Sequence, residues 1–283
     1  MSQAVSNPGN STPPQPPMRF LGYFSDRAIG FLSHIGAITL LFFDAAHWVI
    51  RSTYQPKVRI GRSAIISQIV RIGVRSIGIV SLVSGCVGLI LAFQLSPPLD
   101  EFGQKDKVAN IVGVAVLREL GPLIAAIVLT GFAGASIAAE IGTMVVGEEI
   151  EALEAHAMNP VKFLVVPRVI ASILSLTAIS VIGDLVAVAA ALGISMTALD
   201  IPYAAFMSNL YDQVKLVDFA TGVSKGAVFG LLIAIIACYN GLKVTGGAMG
   251  VGIATTSTVV QSVVAVIVCD LVFTTIFFAL GLV

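Results

Sequence analysis

Residues 76–95 read SIGIVSLVSGCVGLILAFQL, a stretch of the chain without a single charged residue. A transmembrane helix needs about 20 predominantly apolar residues to cross the hydrocarbon core of a bilayer. The stretch follows Arg75 and is followed by Ser96-Pro97-Pro98, where the prolines predict the end of the helix. We therefore expect a membrane-spanning α-helix here, and the remainder of the chain can be compared with it.

The composition of the whole chain agrees with a membrane protein. Of 283 residues, 57% are hydrophobic and 11% are charged, whereas a soluble domain carries roughly 25% charged residues. Most of the surface must therefore face lipid. The 16 basic and 16 acidic residues cancel, so the charge gives no indication of nucleic-acid binding. The three cysteines lie in apolar runs at irregular spacing, which fits neither a disulfide framework nor a metal site.

Four further apolar stretches predict membrane spans. They cover about residues 123–139, 169–199, 219–242 and 252–283. Pro122 directly precedes the first of these and predicts a break in the helix before it, because proline lacks a backbone donor. Together with residues 76–95, these stretches predict an all-α integral membrane protein with about five transmembrane helices.

The N-terminal region has a different character. Residues 1–18 are rich in Pro, Ser and Asn and lack the apolar block of a signal peptide, which predicts a disordered tail. Residues 19–55 are apolar but interrupted by ionisable residues, and their longest uncharged stretch, 28–43, is too short for a span and contains His34. We expect an amphipathic helix in the cytoplasmic interface here, followed by a transmembrane bundle over residues 63–283. Residues 19–283 together would form one domain.

The distribution of basic residues predicts the orientation of the spans. The cluster at residues 51–75 is the most basic in the chain, so the positive-inside rule places the start of the first span in the cytoplasm. Alternation then puts residues 140–168 inside and the C-terminus outside. Lys243 agrees with this orientation, whereas Lys105 and Lys215 lie on the side predicted to be external.

The segment between the second and third spans is the candidate for contact with another protein. Thr143 is placed to cap a short helix, and Asn159-Pro160 is placed to end it. One face of this predicted helix is apolar and consists of Val146, Ile150, Leu153 and Ala157. The other face is acidic and consists of Glu148, Glu149, Glu151 and Glu154. Docking onto a soluble partner and a solvated loop helix fit this pattern equally well.

Ionisable residues inside apolar spans are rare, so each is a candidate for gating or for lining a cavity. Arg118 and Glu119 are adjacent in sequence and would point in different directions on a helix, so they need separate partners. Asp184 and Asp270 are isolated in apolar runs, and a hydrogen-bonded strut between helices is favoured over a cavity role for both. Glu140 lies at the predicted cytoplasmic end of the second span, where gating or coupling is the hypothesis.

An ordered series of motifs runs through residues 117–168. It reads LREL-GP at 117–122, GFAGAS at 131–136, AEIGTM at 139–144, EEIEALE at 148–154 and VVPR at 165–168. The series resembles the MlaE/YrbE permease family, the membrane subunits of ABC systems that move phospholipids or other lipids. The resemblance extends over about residues 20–283. Phe132 departs from it, because many members carry a basic residue there, and Glu140 thereby loses its obvious partner.

The resemblance implies a homodimeric, multi-pass protein of the inner membrane that exchanges phospholipid with a periplasmic MCE-domain partner. It also implies that the acidic helix, with Thr143, Leu153 and Asn159-Pro160, is a coupling helix held in a groove of a cytoplasmic ABC ATPase. The chain contains no G-x-x-x-x-G-K-[ST] loop. ATP and Mg²⁺ are therefore expected on the separate ATPase, with no cofactor, metal or catalytic residue in this chain.

Two other functions compete with this interpretation. An ion- or proton-coupled carrier would use Glu140, Asp184 and Asp270 as a relay, although the internal repeats typical of such carriers are not visible. Independence from an ATPase would distinguish it. An intramembrane enzyme would need a nucleophile–base or metal pair inside a span, and the sequence shows none, since its three histidines are widely scattered.

Overall fold

The computed structural model describes residues 18–54 and 61–281, with only the backbone for residues 18–28, 31, 53 and 54. This part of the chain is helical and contains no strand, which confirms the predicted all-α class. The α-helices are α1 (Met18–Tyr54), α2 (Arg62–Ile72), α3 (Ile77–Glu101), α4 (Val108–Ala115), α5 (Gly121–Leu129), α6 (Ala135–Val146), α7 (Glu149–Ala155), α8 (Val166–Thr197), α9 (Tyr203–Gln213), α10 (Leu216–Leu242) and α11 (Gly247–Ala279). The predicted disordered tail lies outside the described residues, apart from Met18.

Six helical stretches within the described residues are long and apolar enough to cross a membrane. They are Leu32–Ser52, Arg62–Glu101, Lys105–Val146, Val161–Thr197, Leu216–Leu242 and Gly247–Ala279. The last five overlap the five predicted spans, and the stretches that end at Thr197 and Ala279 stop before the predicted ends at residues 199 and 283. The first falls in the segment predicted to lie in the interface, and its mean hydropathy of 1.3 is the lowest of the six. This segment therefore has the length of a span but the weakest apolar character.

The chain divides into two compact units after Leu40. In the described part of the first unit, the hydroxyls of Ser33 and Thr39 donate hydrogen bonds to carbonyls one turn earlier in α1, at 2.9 and 2.8 Å. These bonds satisfy the hydroxyls within their own helix. The second unit begins at Leu41 and contains all the residues that form the candidate site.

Two helix ends predicted from prolines are wrong. α3 continues through Pro97 and Pro98 to Glu101. The second of the five predicted spans lies in the continuous helical stretch Lys105–Val146, and Pro122 does not interrupt it. This stretch is called the second span below, and Val161–Thr197 is called the third. π-Helical turns at Val116–Leu120 and Thr130–Gly134 divide the second span into α4, α5 and α6. A π turn leaves a carbonyl without its usual donor, so a proline in the next turn is accommodated without breaking the helix.

α8 lies at the centre of the second unit and packs against α2, α3, α5 and α10. Small residues make these close contacts possible. A Cβ atom on Gly88 of α3 would overlap the backbone of Ala187 in α8, and a Cβ on Gly230 of α10 would press against the backbone of Ser172. Glycine allows helix backbones to approach each other closely in membranes, where packing has to replace the hydrophobic effect.

A pair of glycine substitutions tests this packing. We expect Gly88→Ala to lower the free energy of unfolding by about 1–3 kcal/mol, because α3 must move away from Ala187. Gly78→Ala in the same helix should be neutral or slightly stabilising, since no atom lies within 4 Å of the added Cβ and alanine favours helix. Unfolding of each purified variant by titration with SDS measures both values. Equal effects at the two positions would contradict the close α3–α8 contact.

A compact apolar cluster lies at the end of the bundle opposite α7. Phe206 of α9 is fully buried there against residues of α3, α4 and α8 and the loop after α8. The buried members are Ala92, Val108, Ala109, Val112, Val116, Ala187, Ala191, Leu199, Ile201 and Phe206. The connector between the third and fourth spans therefore forms an amphipathic helix that closes this end of the bundle.

Candidate functional site

A cluster of charged side chains lies between α10, α11 and the first π turn of the second span. Lys225 of α10 is at its centre, and its side chain is 1% exposed. Its Nζ lies 2.5 Å from Oε2 of Glu119 and 2.9 Å from Oδ1 of Asp270. Three helical segments that are distant in sequence are thereby joined through one ammonium group.

Thr274 completes the hydrogen bonds of this cluster. Lys225 donates to its Oγ1 at 3.0 Å, and the Thr274 hydroxyl donates to Oε1 of Glu119 at the same distance. Asp270 lies one turn earlier on α11 and contributes an ion pair without a well-aligned hydrogen bond. These four residues, Glu119, Lys225, Asp270 and Thr274, form the Lys225 cluster. One cation in it faces two carboxyl groups, and a buried lysine is retained in a membrane only when it is paired in this way.

Arg118 precedes Glu119 in the same π turn but contacts a different residue. Its Nε forms an ion pair with Oδ1 of Asp218, whose side chain is 1% exposed. The other carboxylate oxygen, Oδ2, accepts the backbone N–H of Lys215 at 2.8 Å and so caps the start of α10. The prediction that Arg118 and Glu119 need separate partners is confirmed, since one pairs with Asp218 and the other with Lys225.

Glu140 has partners despite the presence of Phe132. Its Oε2 lies 2.7 Å from Nη1 of Arg71 in α2 and 3.2 Å from Nη2 of Arg168 in α8. Arg168 is 5% exposed, and its Nη1 also donates to the carbonyl oxygen of Leu164 at 2.7 Å. The expectation that Glu140 lacks an obvious partner is therefore wrong, because two other helices supply the cations that residue 132 does not.

Asp184 and Asp270 differ in their surroundings. Asp270 links α11 to α10 through Lys225, the geometry that a strut between helices requires. Asp184 is 4% exposed and lies against Gly121 of α5, where a Cβ atom would overlap its carboxylate. Its Oδ1 has no hydrogen-bond partner within residues 18–54 and 61–281. The strut interpretation is therefore supported for Asp270 and not for Asp184.

The acidic helix forms, with its four glutamates exposed. α7 covers Glu149–Ala155, and Glu148 precedes it in a left-handed conformation with φ 58°. Glu149, Glu151 and Glu154 project from α7, while Ile150 and Leu153 are half-buried. The polar and apolar faces therefore exist as predicted, but over a shorter helix. Val146 belongs to α6 and Ala157 lies beyond the end of α7, so neither contributes to the apolar face.

Both predicted boundaries of this helix are wrong. Thr143 is an internal residue of α6, where its hydroxyl donates to the carbonyl of Glu140 at 2.8 Å. α7 ends at Ala155, before Asn159-Pro160. Oδ1 of Asn159 instead accepts the backbone N–H of Lys162 at 3.1 Å. Asn159 is therefore the N-cap of the third span, and Pro160 takes the first helical position, where its missing donor has no cost.

Four charged residues that organise these contacts are not among the candidates chosen from the sequence. They are Arg71, Arg168, Asp218 and Lys225. Lys225 could have been found by the rule that selected Asp184 and Asp270, because it is an ionisable residue within an apolar span. The other three lie near predicted span ends, where a charge is ordinary. Across the described residues no group of three or more His, Cys, Asp or Glu side chains could hold a metal ion.

The sequence was compared with known proteins. The family model described as "Permease MlaE" matches residues 65–276. A probable ABC transporter permease protein of Rickettsia felis is 36% identical over 252 residues, which cover 89% of this chain and 95% of the relative. A probable ABC transporter permease protein of Synechocystis is 35% identical over 212 residues, or 75% of this chain and 81% of the relative.

A plant protein is also similar. Protein TRIGALACTOSYLDIACYLGLYCEROL 1, chloroplastic, of Arabidopsis thaliana is 34% identical over 213 residues, which cover 75% of this chain and 61% of the relative. The matched region of the family model contains the Lys225 cluster, the Glu140 ion pairs and α7. With its helical membrane fold and these similarities, the chain belongs to the MlaE permease family.

Proposed function

We propose that the chain is the membrane subunit of an ABC transporter that moves phospholipid or another lipid, and that α7 couples it to a separate ATPase. The observation that carries this proposal is the exposed acidic helix within a permease of this family. The name of the Arabidopsis relative contains that of a glycolipid, trigalactosyldiacylglycerol. This name supports a lipid, in preference to a small polar solute, as the cargo.

The position of α7 suits a mechanical connection. Only residues 147–160 separate the end of α6 from the start of the third span, and α7 occupies the middle of this segment. A displacement of α7 would therefore act directly on both adjoining spans. Its exposed glutamates offer negative charge to a basic groove, while Ile150 and Leu153 are half-buried and do not face solvent fully.

The Lys225 cluster is the proposed element that contacts lipid. Glu119 retains 36% exposure of its side chain and Arg118 retains 21%, so both can reach a polar headgroup that enters the bundle. A headgroup carries phosphate, hydroxyl or amine groups, and the cluster with the neighbouring Arg118 offers two cations and two carboxyl groups that can bind them. As the helix bundle opens and closes, these charged groups would exchange their ion pairs within the protein for ion pairs with the lipid headgroup.

The assembly proposed for transport contains more than this chain. α11 exposes a continuous set of apolar side chains, including Val264, Val268 and Leu271, which would contact acyl chains or a second copy. We propose a homodimer in the inner membrane, with a cytoplasmic ABC ATPase that binds ATP and Mg²⁺ and a periplasmic MCE-domain protein that receives or delivers lipid.

The alternative of an ion-coupled carrier has less support. It requires Glu140, Asp184 and Asp270 to form one relay. Glu140 is bound by Arg71 and Arg168, whereas Asp270 is bound by Lys225. No hydrogen bond or ion pair connects the three carboxyl groups among the residues that the structure describes.

Charge reversal on α7 tests the proposed coupling. The chain and the ABC ATPase of the same organism are co-expressed, and the ATPase that co-purifies with the tagged permease is quantified. We expect Glu149→Lys/Glu151→Lys to reduce this amount at least about tenfold, because two attractive charges become repulsive at an interface. Basal folding should persist, since both side chains are exposed.

The matched control is Glu101→Lys/Asp212→Lys, which makes the same change in charge at exposed sites near the other end of the bundle. It should leave the amount of ATPase unchanged. Equal loss in both double variants, or no loss in either, would contradict docking through α7. Native mass spectrometry of the complex tests the cargo separately, and the proposal requires bound lipid that is released when ATP is hydrolysed.

A further inference from the structure

A polar cavity of about 220 Å³ lies next to the start of the first span and is separate from the Lys225 cluster. It is formed by α2, the short turn Val74–Ser76, the second π turn of the second span and α6. Its lining residues are Gln68, Arg71, Ile72, Arg75, Phe132, Ala133, Ser136 and Ile137. Two of these are arginines and none is acidic, so the cavity has a positive wall.

The charge of this wall is only partly neutralised. Glu140 pairs with Arg71, but the same carboxylate oxygen also faces Arg168, so the three groups together keep one positive charge. Arg75 adds a second, because it forms no ion pair within the described residues. An anion in the cavity would therefore meet a net charge of about +2, and charge-assisted hydrogen bonds are the strong ones.

Neutral polar groups complete the cavity. Nη2 of Arg71 donates to the Ser136 hydroxyl at 3.3 Å, which leaves the hydroxyl hydrogen free to donate to a ligand. The side-chain Oε1 of Gln68 is buried without a hydrogen-bond partner among the described residues. Because the two ends of an amide are assigned from their partners, a rotated Gln68 would present its NH₂ group, which is a donor, to an anion.

The backbone holds the two arginines in a defined position. Gly73 lies between them, and an added Cβ there would press against the Ile69 carbonyl and Ser175 of α8. The backbone at Gly73 therefore packs closely on α8, and the turn Val74–Ser76, which carries Arg75, begins directly after it. Ile72, Phe132, Ala133 and Ile137 supply the apolar part of the lining, and electrostatic attraction is stronger beside apolar groups than in bulk water.

We propose that this cavity binds an anionic phosphate group, and that its natural source is the headgroup of an anionic phospholipid in the leaflet next to α2. The cavity lies where the basic segment meets the first apolar span, which is the depth of lipid phosphates. Its volume equals that of several water molecules at ~30 Å³ each, enough for a phosphodiester but not for a nucleotide. The proposal does not depend on lipid transport or on an ATPase.

Lipid binding to the purified full-length chain tests this proposal. Native mass spectrometry compares dioleoyl phosphatidylglycerol with dioleoyl phosphatidylcholine, each added at the same ratio. We expect preferential retention of phosphatidylglycerol and an about tenfold weaker binding in Arg75→Gln, because one charge-assisted hydrogen bond is lost. Arg62→Gln is the control, since Arg62 is exposed on α2 and does not line the cavity.

A second variant separates a defined cavity from general surface charge. Ser136→Met keeps both arginines but fills the space between them, so it should also weaken binding of phosphatidylglycerol. Equal losses in Arg75→Gln and Arg62→Gln, with no loss in Ser136→Met, would overturn the proposal. Inorganic phosphate is added in a further series. Displacement of the lipid by phosphate would assign the cavity to a soluble phosphate compound, and retention of the lipid supports the headgroup.

Discussion

Lys225→Met is expected to lower the free energy of unfolding by about 3–5 kcal/mol, the cost of breaking a buried ion pair by removing one partner. Glu119 and Asp270 would then face each other without a cation. The partial exposure of Glu119 lets water reach part of the cluster, so we expect a value near the lower end of this range. Titration of the purified variant with SDS, followed by circular dichroism, measures the change.

Two further variants test whether unpaired buried charge causes the loss of stability in Lys225→Met. Lys107→Met makes the same chemical change at an exposed position in front of α4 and should unfold like the parent protein. In Lys225→Met/Glu119→Gln/Asp270→Asn no charge remains, and much of the stability should return, because a neutral cluster avoids the cost of unpaired buried charge. If this stable triple variant still transported lipid at the parental rate, the cluster would be structural only. A Lys225→Met protein as stable as the parent would contradict the described ion pairs.

Glu140→Ala should have the second-largest effect. Glu140 is the only carboxylate within ion-pair distance of Arg71 and Arg168 among the described residues. Its removal leaves the buried Arg168 with a single hydrogen bond to a carbonyl. We expect the free energy of unfolding to fall by about 3 kcal/mol, the penalty for an uncompensated buried charge. Arg71 contributes less, since its side chain is 41% exposed and can reach water.

The same SDS titration checks this second effect against two comparisons. Glu154→Ala removes an exposed carboxylate of α7 and should unfold like the parent. Glu140→Ala/Arg168→Met removes the buried cation as well, so a substantial part of the lost stability should be regained. Loss in the double variant equal to or greater than that of Glu140→Ala alone would show that Glu140 stabilises the bundle by some means other than pairing with Arg168.

Much of the fold follows from local properties of the sequence. Runs such as residues 76–95 are apolar over the length of a bilayer, and no tertiary contact is needed to recognise them as spans. The positions of prolines were less informative. Pro97 and Pro98 lie within α3, and Pro122 follows a π turn, because a helix in a bundle is held by its neighbours and can contain an irregular turn that an isolated helix would not support.

The contacts of the candidate site depend on positions distant in sequence. Glu119 meets Lys225 across more than a hundred residues, and Glu140 meets Arg71 across the first span. Sequence pattern identifies an ionisable residue in an apolar run, as it did for Asp270, but not its partner. It also misplaced the caps of α7, because Asn159 can either follow one helix or begin the next, and only the hydrogen bond to Lys162 distinguishes these.

The π turn at Thr130–Gly134 has a consequence for how the second span is drawn on a helical wheel. At 3.6 residues per turn, Glu119 and Glu140 would project within about 60° of each other on a straight α-helix. A wider turn between them changes the phase of everything that follows. Glu119 accordingly meets α10 and α11, while Glu140 meets α2 and α8. One helical stretch thereby presents acidic side chains to two different sets of neighbours. A helical wheel drawn with a uniform pitch would place both carboxylates on the same face.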